Sequence, residues 1–443
     1  MATSFRSYAC NQTLLLPPSL NDWLPQGHLA YFISDTVDAL DLHAFHERYD
    51  GDGRRRQPFD PAMMVKVLVY AYATGVFSSR KIATRLKEDV AFRVLAADNF
   101  PAHRTIREFR QVHLSEFQAL FVQVVQMARE TGLVKLGRIG IDGTKVKANA
   151  SKRKAMSYKR LREEQARLKA EIAELVQQAQ QQDTSEDQQY GKDDNGNEVP
   201  DELARREDRL RALEEAKARL EAQQAAADDQ RGRSADDQRR PPSGRGKPYS
   251  RDYGVPEDKA QTNFTDPDSR IMKTNDGFQQ CYNAQASVDD ESLLVVATAL
   301  NSQASDTRQL LPMIEATRHN TGSTPDITLA DAGYASEANF TALEEQGLQA
   351  CVALGREGKK GRAVDPDKHP ATQRMAEHMA TEQAQAHYRR RKVIPEPVFG
   401  WIKQAMGFRQ FSLRGKEKAK GEWNLVCLAL NLRRMHRLNG ATA

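Results

Sequence analysis

The run RIGI (138–141) has the makings of a buried strand, but the segment behind it, 151–262, is polar, heptad-patterned and rich in turn residues. Strand patterns resume only at CYNAQASVD (281–289). A strand must find backbone partners, so a sheet built on RIGI has to be completed by residues beyond 262, with 151–262 standing out as an insertion. The later sequence supplies them: LLVVATALN (293–301), DITLA (326–330) and ACVALG (350–355) read as strands, and 306–320 and 336–345 as helices. Strands interleaved with helices indicate a mixed α/β sheet flanked by helices, its first part at 131–150 and the remainder in 263–443.

Within the insertion, Leu161, Leu168, Ile172 and Leu175 follow alternating heptad positions, as do Leu203, Leu210, Leu213 and Leu220. The turn-rich string TSEDQQYGKDDNGNEVPD (184–201) separates the two sets. That order predicts an antiparallel coiled-coil hairpin, with Gln165, Arg206 and Lys217 as imperfect seam positions. The string 230–254 has low hydrophobicity and no period and reads as a basic linker.

Ahead of the sheet, residues 1–56 carry short apolar turns and end in a polar linker, GDGRRRQ. Residues 57–130 read as helices. Asp60 and Pro61 supply a cap and a first-turn proline. A second helix starts at Ser78 or Ser79, and Thr105 with Glu108 matches a capping box for a third. Compact turns between short helices give a helix-turn-helix-like, all-α unit. In the third helix Arg104 and Arg107 share a side away from Ile106 and Phe109, the division a recognition helix needs to reach phosphates and base edges. An ordinary amphipathic helix shows the same division.

Three acids sit where a carboxylate is costly or specially placed. Asp142 interrupts the apolar run RIGIDGTKVKANAS, Asp331 ends the strand-like run of DITLADAGYAS, and Glu396 opens a helix between Pro395 and Pro397. A carboxylate in or beside a buried strand needs a cation or hydrogen bonds, and the first turn of a helix favours an anion. Converging, the three would supply hard oxygen ligands. Glu377, Glu382 and Asp365 compete with Glu396 for the third place.

These strings, with SSRKIATRLKEDVAFRVLAADNFPAHRTIREFR (78–110), TDPDSRIMKTNDGFQQCYNAQASVD (265–289) and EWNLVCLALNLRRM (422–435), resemble the DDE transposases of bacterial insertion sequences over nearly the whole chain outside the insertion. The resemblance implies an RNase H-like catalytic domain. It also implies Mg²⁺, or Mn²⁺ in its place, as two ions held by Asp142, Asp331 and Glu396, with Asp142 the bridging ligand. The Tyr-Arg-Glu-Lys signature of such enzymes falls on Tyr388, Arg391, Glu396 and Lys403. The Arg-to-Glu gap is one residue longer than usual, which makes Lys392 a rival to Arg391. Tyr388, Arg391, Lys403 and Lys145 are then candidate DNA contacts. The implied activity is recognition of terminal inverted repeats in double-stranded DNA, cleavage, and strand transfer, by a homodimer or larger assembly on DNA. A nuclease that does not join, or a domesticated non-catalytic regulator, are the alternatives.

Charge supports a polyanionic partner through its distribution: the whole chain is only +5, yet 388–443 holds 13 Lys/Arg against three Glu. Cys10, Cys281, Cys351 and Cys427 lack metal or disulfide spacing and are expected as buried thiols in a reducing cytosol. The longest apolar run, 63–75, is too short to span a bilayer, so a cytoplasmic location is expected.

Overall fold

The computed structural model describes residues 19–49, 57–151, 154–190, 201–235, 249–355 and 365–441. Cys10, most of the GDGRRRQ linker, residues 191–200 of the turn-rich string 184–201, whose first residues continue a helix to Tyr190, and most of the basic linker (236–248) lie outside them.

Among the described residues seven α-helices precede the sheet: α1 (Leu29–Asp38), α2 (His43–Glu47), α3 (Pro61–Ala73), α4 (Ser79–Glu88), α5 (Val90–Leu95), α6 (His103–Val112) and α7 (Leu114–Glu130). Asp60 caps α3 as its sequence predicts, accepting from Met63 N at 3.0 Å with Pro61 in the first turn. Nearly every residue of α3 is buried, because neighbouring helices surround it. The capping box expected at Thr105 is not used. Helix α6 begins at His103, soon after Pro101, so Thr105 and Glu108 lie inside it. Its buried side carries Ile106 and Phe109, and Arg104 and Arg107 are exposed.

The main sheet has six strands: β1 (Arg138–Lys147), β4 (Arg270–Thr274), β5 (Gly277–Asp289), β6 (Val295–Asn301), β7 (Ile327–Ala330) and β8 (Ala350–Val352). The short strands β2 (Ala155–Ser157) and β3 (Gln261–Asn263) pair separately at the foot of the insertion. Strand β1 is central, antiparallel to β5 on one side and parallel to β7 on the other. Beyond them β8 pairs with β7, and β4 and β6 both pair with β5. The sheet thus closes across the insertion, and β1 runs well past RIGI. The strand β4 is additional to those read from the sequence.

Helices α8 (Tyr158–Tyr190) and α9 (Asp201–Asp229) form the body of the insertion. Tyr158 bonds Glu221, Glu164 pairs with Arg209 and Glu171 with Arg206, so the helices run antiparallel. Leu161, Leu168, Leu213 and Leu220 are buried between them with Tyr158 and Ala216, and Val255 and Phe264 close the base.

The second half continues with α10 (Leu310–Thr321), α11 (Glu337–Glu345), α12 (Pro370–Ala380), α13 (Glu382–Arg389), α14 (Pro395–Gly400) and α15 (Lys416–Ala441). Helix α15 is the central pillar. Asn431 bonds both N and O of Val295 on β6, Trp423 donates to the Gln285 carbonyl of β5, and the helix also packs on α3 and α7. One continuous apolar core therefore reaches from Ile33 of α1 to Met435 of α15. Cys281, Cys351 and Cys427 are buried free thiols.

Candidate active site

Strand pairing puts two of the three acids side by side. The pairing of β1 with β7 ends at Ile141 and Ala330, so the next residues on the two parallel strands, Asp142 within β1 and Asp331 just past the end of β7, are neighbours. Neighbouring strands lie about 4.8 Å apart. Asp142 accepts a hydrogen bond from Gly143 N at 2.7 Å, and Asp331 caps a 3₁₀ turn (Ala332–Tyr334) by accepting from Gly333 N at 2.8 Å. Burial, and then the charge of Asp331, push the Asp142 carboxyl up to about 7.

Helix α14 brings Glu396 toward the two Asp side chains because Gly140 lets it lie against β1. A Cβ at Gly140 would stand 2.9 Å from both Ile394 and Pro395, so the missing side chain allows the start of α14 to rest on β1 two residues before Asp142. Glu396 occupies the exposed side of that first turn. Between it and Asp142 lies Arg391: its guanidinium nitrogens are 3.8 Å from Asp142 Oδ2 and 3.8 Å from Glu396 Oε1. Arg391 is largely buried, its Nε has no hydrogen-bond partner, and its guanidinium carbon is 5.8 Å from the centre of the Tyr388 ring.

Tyr388 lies in the last turn of α13, and Arg391 and Lys392 begin a 3₁₀ turn (Arg391–Val393) before α14, as the prolines imply. Lys392 is exposed. Arg390, to which the sequence reading gave no role, anchors this connection: it bonds Asp290 at 2.6 Å, and Arg138 at the start of β1 holds the same carboxylate at 2.7 Å. Lys403 lies on a π turn (Trp401–Ala405) and reaches β1, donating to Thr144 Oγ1 and to the Lys145 carbonyl at 3.1 Å. Burial lowers its pKa, and that of Lys145 likewise. Lys145 pairs with Asp306 at 3.5 Å. Arg104 and Arg107 are on α6, in the helical region ahead of the sheet. Glu377 is engaged with Gln373, and Asp365 with Lys368.

Two family models match the chain. A transposase DDE domain matches residues 232–432, and a transposase domain (DUF772) matches residues 18–112. The chain belongs to the DDE transposases of insertion sequences. The first match begins beyond the long hairpin, so it contains Asp331 and Glu396 and leaves Asp142 outside, on the far side of the insertion. The second covers α1 to α6. Comparison of this transposase with curated proteins and with solved structures finds no match to either.

DDE transposases use divalent metal ions, and the donor set of this transposase suits one in part. Asp142 and Asp331 are hard oxygen donors whose mutual repulsion a cation would relieve. Glu396 stands off from them, with the Arg391 guanidinium between. Among the described residues no three His, Cys, Asp or Glu side chains are grouped closely enough to hold a metal ion as they stand. Nor is any described helix long and apolar enough to cross a membrane.

The sequence reading missed Asp306. It enters the sequence reading only as the first residue of the 306–320 helix. Instead a 3₁₀ turn (Thr307–Gln309) intervenes, the carboxylate makes no cap, and it turns to the sheet, where it accepts from Asn283 at 2.5 Å and Gln285 at 2.7 Å. An Asp ahead of a helical pattern normally reads as a cap, so the local sequence gave no sign of this.

Proposed function

We propose that this transposase binds the terminal inverted repeats of its own element, cleaves at the element ends, and transfers the resulting 3′-hydroxyls into target DNA, with Asp142, Asp331 and Glu396 as the catalytic carboxylates. The juxtaposition of Asp142 and Asp331 where the pairing of β1 with β7 ends, with Glu396 facing them across Arg391, carries this reading. The three acids would hold Mg²⁺, or Mn²⁺ in its place, as two ions, which would supply charge stabilisation to an in-line phosphoryl displacement whether the nucleophile is water or a 3′-hydroxyl.

The rest of the site handles the DNA. Arg391, delocalised and always charged, exchanges its loose contacts with the carboxylates for a bidentate grip on a phosphate. Tyr388 packs beside it and stacks near the cleaved end. Lys392 follows on the exposed surface, and Lys403 and Lys145 add positive charge along β1 just beyond Asp142. In the N-terminal unit α6 acts as the recognition helix, with Arg104 and Arg107 toward the DNA. The long hairpin is an antiparallel coiled coil, and two copies of the chain act together, since two element ends must be held at once.

The test is substitution of Asp142→Asn, Asp331→Asn and Glu396→Gln. Each is expected to abolish cleavage and joining while leaving end binding near normal, because binding rests on phosphate neutralisation. Near-normal cleavage by any one of them removes that residue from the site.

A further inference from the structure

The turn that carries Asp306 is stitched to both halves of the site. Through Oδ1 the carboxylate accepts from Asn283 and Gln285 of β5, and Lys145 of β1 is 3.5 Å away. Lys145 and Asn283 are register partners, and Gly143 is opposite Gln285, so these groups share one face of the two central strands. The room comes from Gly143, the residue next to Asp142: a Cβ there would fall 2.7 Å from Asp306 Oδ1 and 2.2 Å from Gln285 Nε2.

On its other side the same turn holds the loop of Asp331. Oδ2 of Asp306 lies toward Gly333, 3.6 Å from where a Cβ would sit, and it is Gly333 N that bonds Asp331. Thr307 donates to the Gly333 carbonyl at 3.0 Å. Asn339 donates to the carbonyls of Thr307 and Tyr334, and the Tyr334 hydroxyl donates back to Gln285. The polar path from Gly143 through Gln285, Asp306 and Thr307 to Gly333 therefore joins the two residues that bond Asp142 and Asp331.

Resting on the reading of those two acids as a cation site, we infer that Asp306 is a positioning residue of that site: it fixes the turn of Asp331 against the strand of Asp142 and adds a fourth negative charge behind the pair, without being a ligand. Carboxylates in this outer position orient ligands, and their loss typically weakens metal binding 10- to 100-fold. Asp306→Asn keeps the shape and an acceptor oxygen but removes the charge. Asn283→Ala removes one donor that seats Asp306 and leaves its charge in place.

The experiment measures Mn²⁺ affinity of the full chain without DNA, together with thermal stability and the kcat and KM for cleavage of end DNA at saturating Mn²⁺. Asp306→Asn is expected to weaken Mn²⁺ binding about tenfold and to lower kcat with little change in KM for DNA, at nearly unchanged melting temperature. Asn283→Ala is expected to shift Mn²⁺ affinity in the same direction by a smaller factor, which keeps the test decisive if the first variant is unstable. Asp142→Asn serves as the control. If it abolishes Mn²⁺ binding while both Asp306→Asn and Asn283→Ala bind as the parent does, the role of Asp306 is overturned and the reading of the acids stands. If Asp142→Asn binds Mn²⁺ normally, that reading fails and takes the inference with it.

Discussion

At 3.8 Å from both the largely buried Asp142 and the exposed Glu396, the guanidinium of Arg391 sits where the two carboxylates would otherwise face one another. It acts as a counter-charge, and a counter-charge competes with any cation for the same oxygens. Arg391→Ala should therefore tighten Mn²⁺ binding by the DNA-free protein, on the order of fivefold for a modest screened interaction, while weakening its hold on end DNA. Unchanged or weaker Mn²⁺ binding in a titration would show that Arg391 is no obstacle to the cation. Asp142 adds a pH dependence. Its carboxyl is raised to about 7, first by burial and then by Asp331, so between about pH 4 and 7 the native state binds a proton that the unfolded chain does not. Stability from this group is present at the acid end of the window and is lost as pH rises through 7. The melting temperature of the metal-free parent, taken relative to Asp142→Asn, should accordingly fall between about pH 4 and 7 and level off above it, and a flat difference throughout would place the carboxyl in an ordinary environment.

Among the elements, α6 has the division of faces its sequence implies, with Ile106 and Phe109 inward and Arg104 and Arg107 exposed. If Arg107 reads a base edge, Arg107→Ala should cost about 1–3 kcal/mol on specific ends and much less on random DNA; equal losses on both would make it a phosphate contact. For the hairpin, the inward leucines are used between α8 and α9 and at its base. Replacing 172–207 by a short Gly/Ser linker spares that base, so nicking of a single end should persist while joining of paired ends declines if the outer hairpin serves assembly. Unchanged joining and stoichiometry on DNA would remove that role. Much of this was legible in the sequence because it is local: the strands of Asp142 and Asp331, the first-turn place of Glu396, the cap at Asp60 and the inward Leu161, Leu168, Leu213 and Leu220 all follow from short-range pattern. What was not legible depends on contacts distant in sequence. Asp306 reads as no more than the first residue of a helix, and only strand pairing brings Asn283 and Gln285 to it. Gly140 looked like part of a strand, and its close approach to Ile394 and Pro395 is set by tertiary packing. Arg391 precedes Glu396 in a turn whose direction helical spacing does not give.

Over the whole molecule, the N-terminal helices and the sheet share their core through a buried polar link as well as apolar contacts. Arg110 of α6 donates to the Tyr72 hydroxyl at 2.9 Å and to the Phe77 carbonyl at 2.8 Å. Tyr72 of α3 donates to Glu422 of α15 at 2.8 Å, and the Glu422 carboxylate also accepts from Ser412 N and Leu413 N. Burial and the neighbouring Glu422 hold the Tyr72 hydroxyl well above its usual range, so it remains a donor. Removing Arg110 leaves the Glu422 charge buried with one fewer compensating group, and Arg110→Ala should cost about 3–5 kcal/mol in denaturant unfolding. The exposed Arg104→Ala should cost at most about 0.5 kcal/mol, and similar values for the two would deny the link its structural weight. The link also connects the proposed recognition helix rigidly to the element that supports β5 and β6. The central claim, that the carboxylates of β1, β7 and α14 both cut and join DNA, is tested most directly by supplying pre-cleaved element ends with free 3′-hydroxyls, a target plasmid and Mn²⁺. The parent protein should give covalently joined products and Asp142→Asn none; joining by Asp142→Asn, or cleavage of uncut ends by a parent that joins nothing, would contradict it.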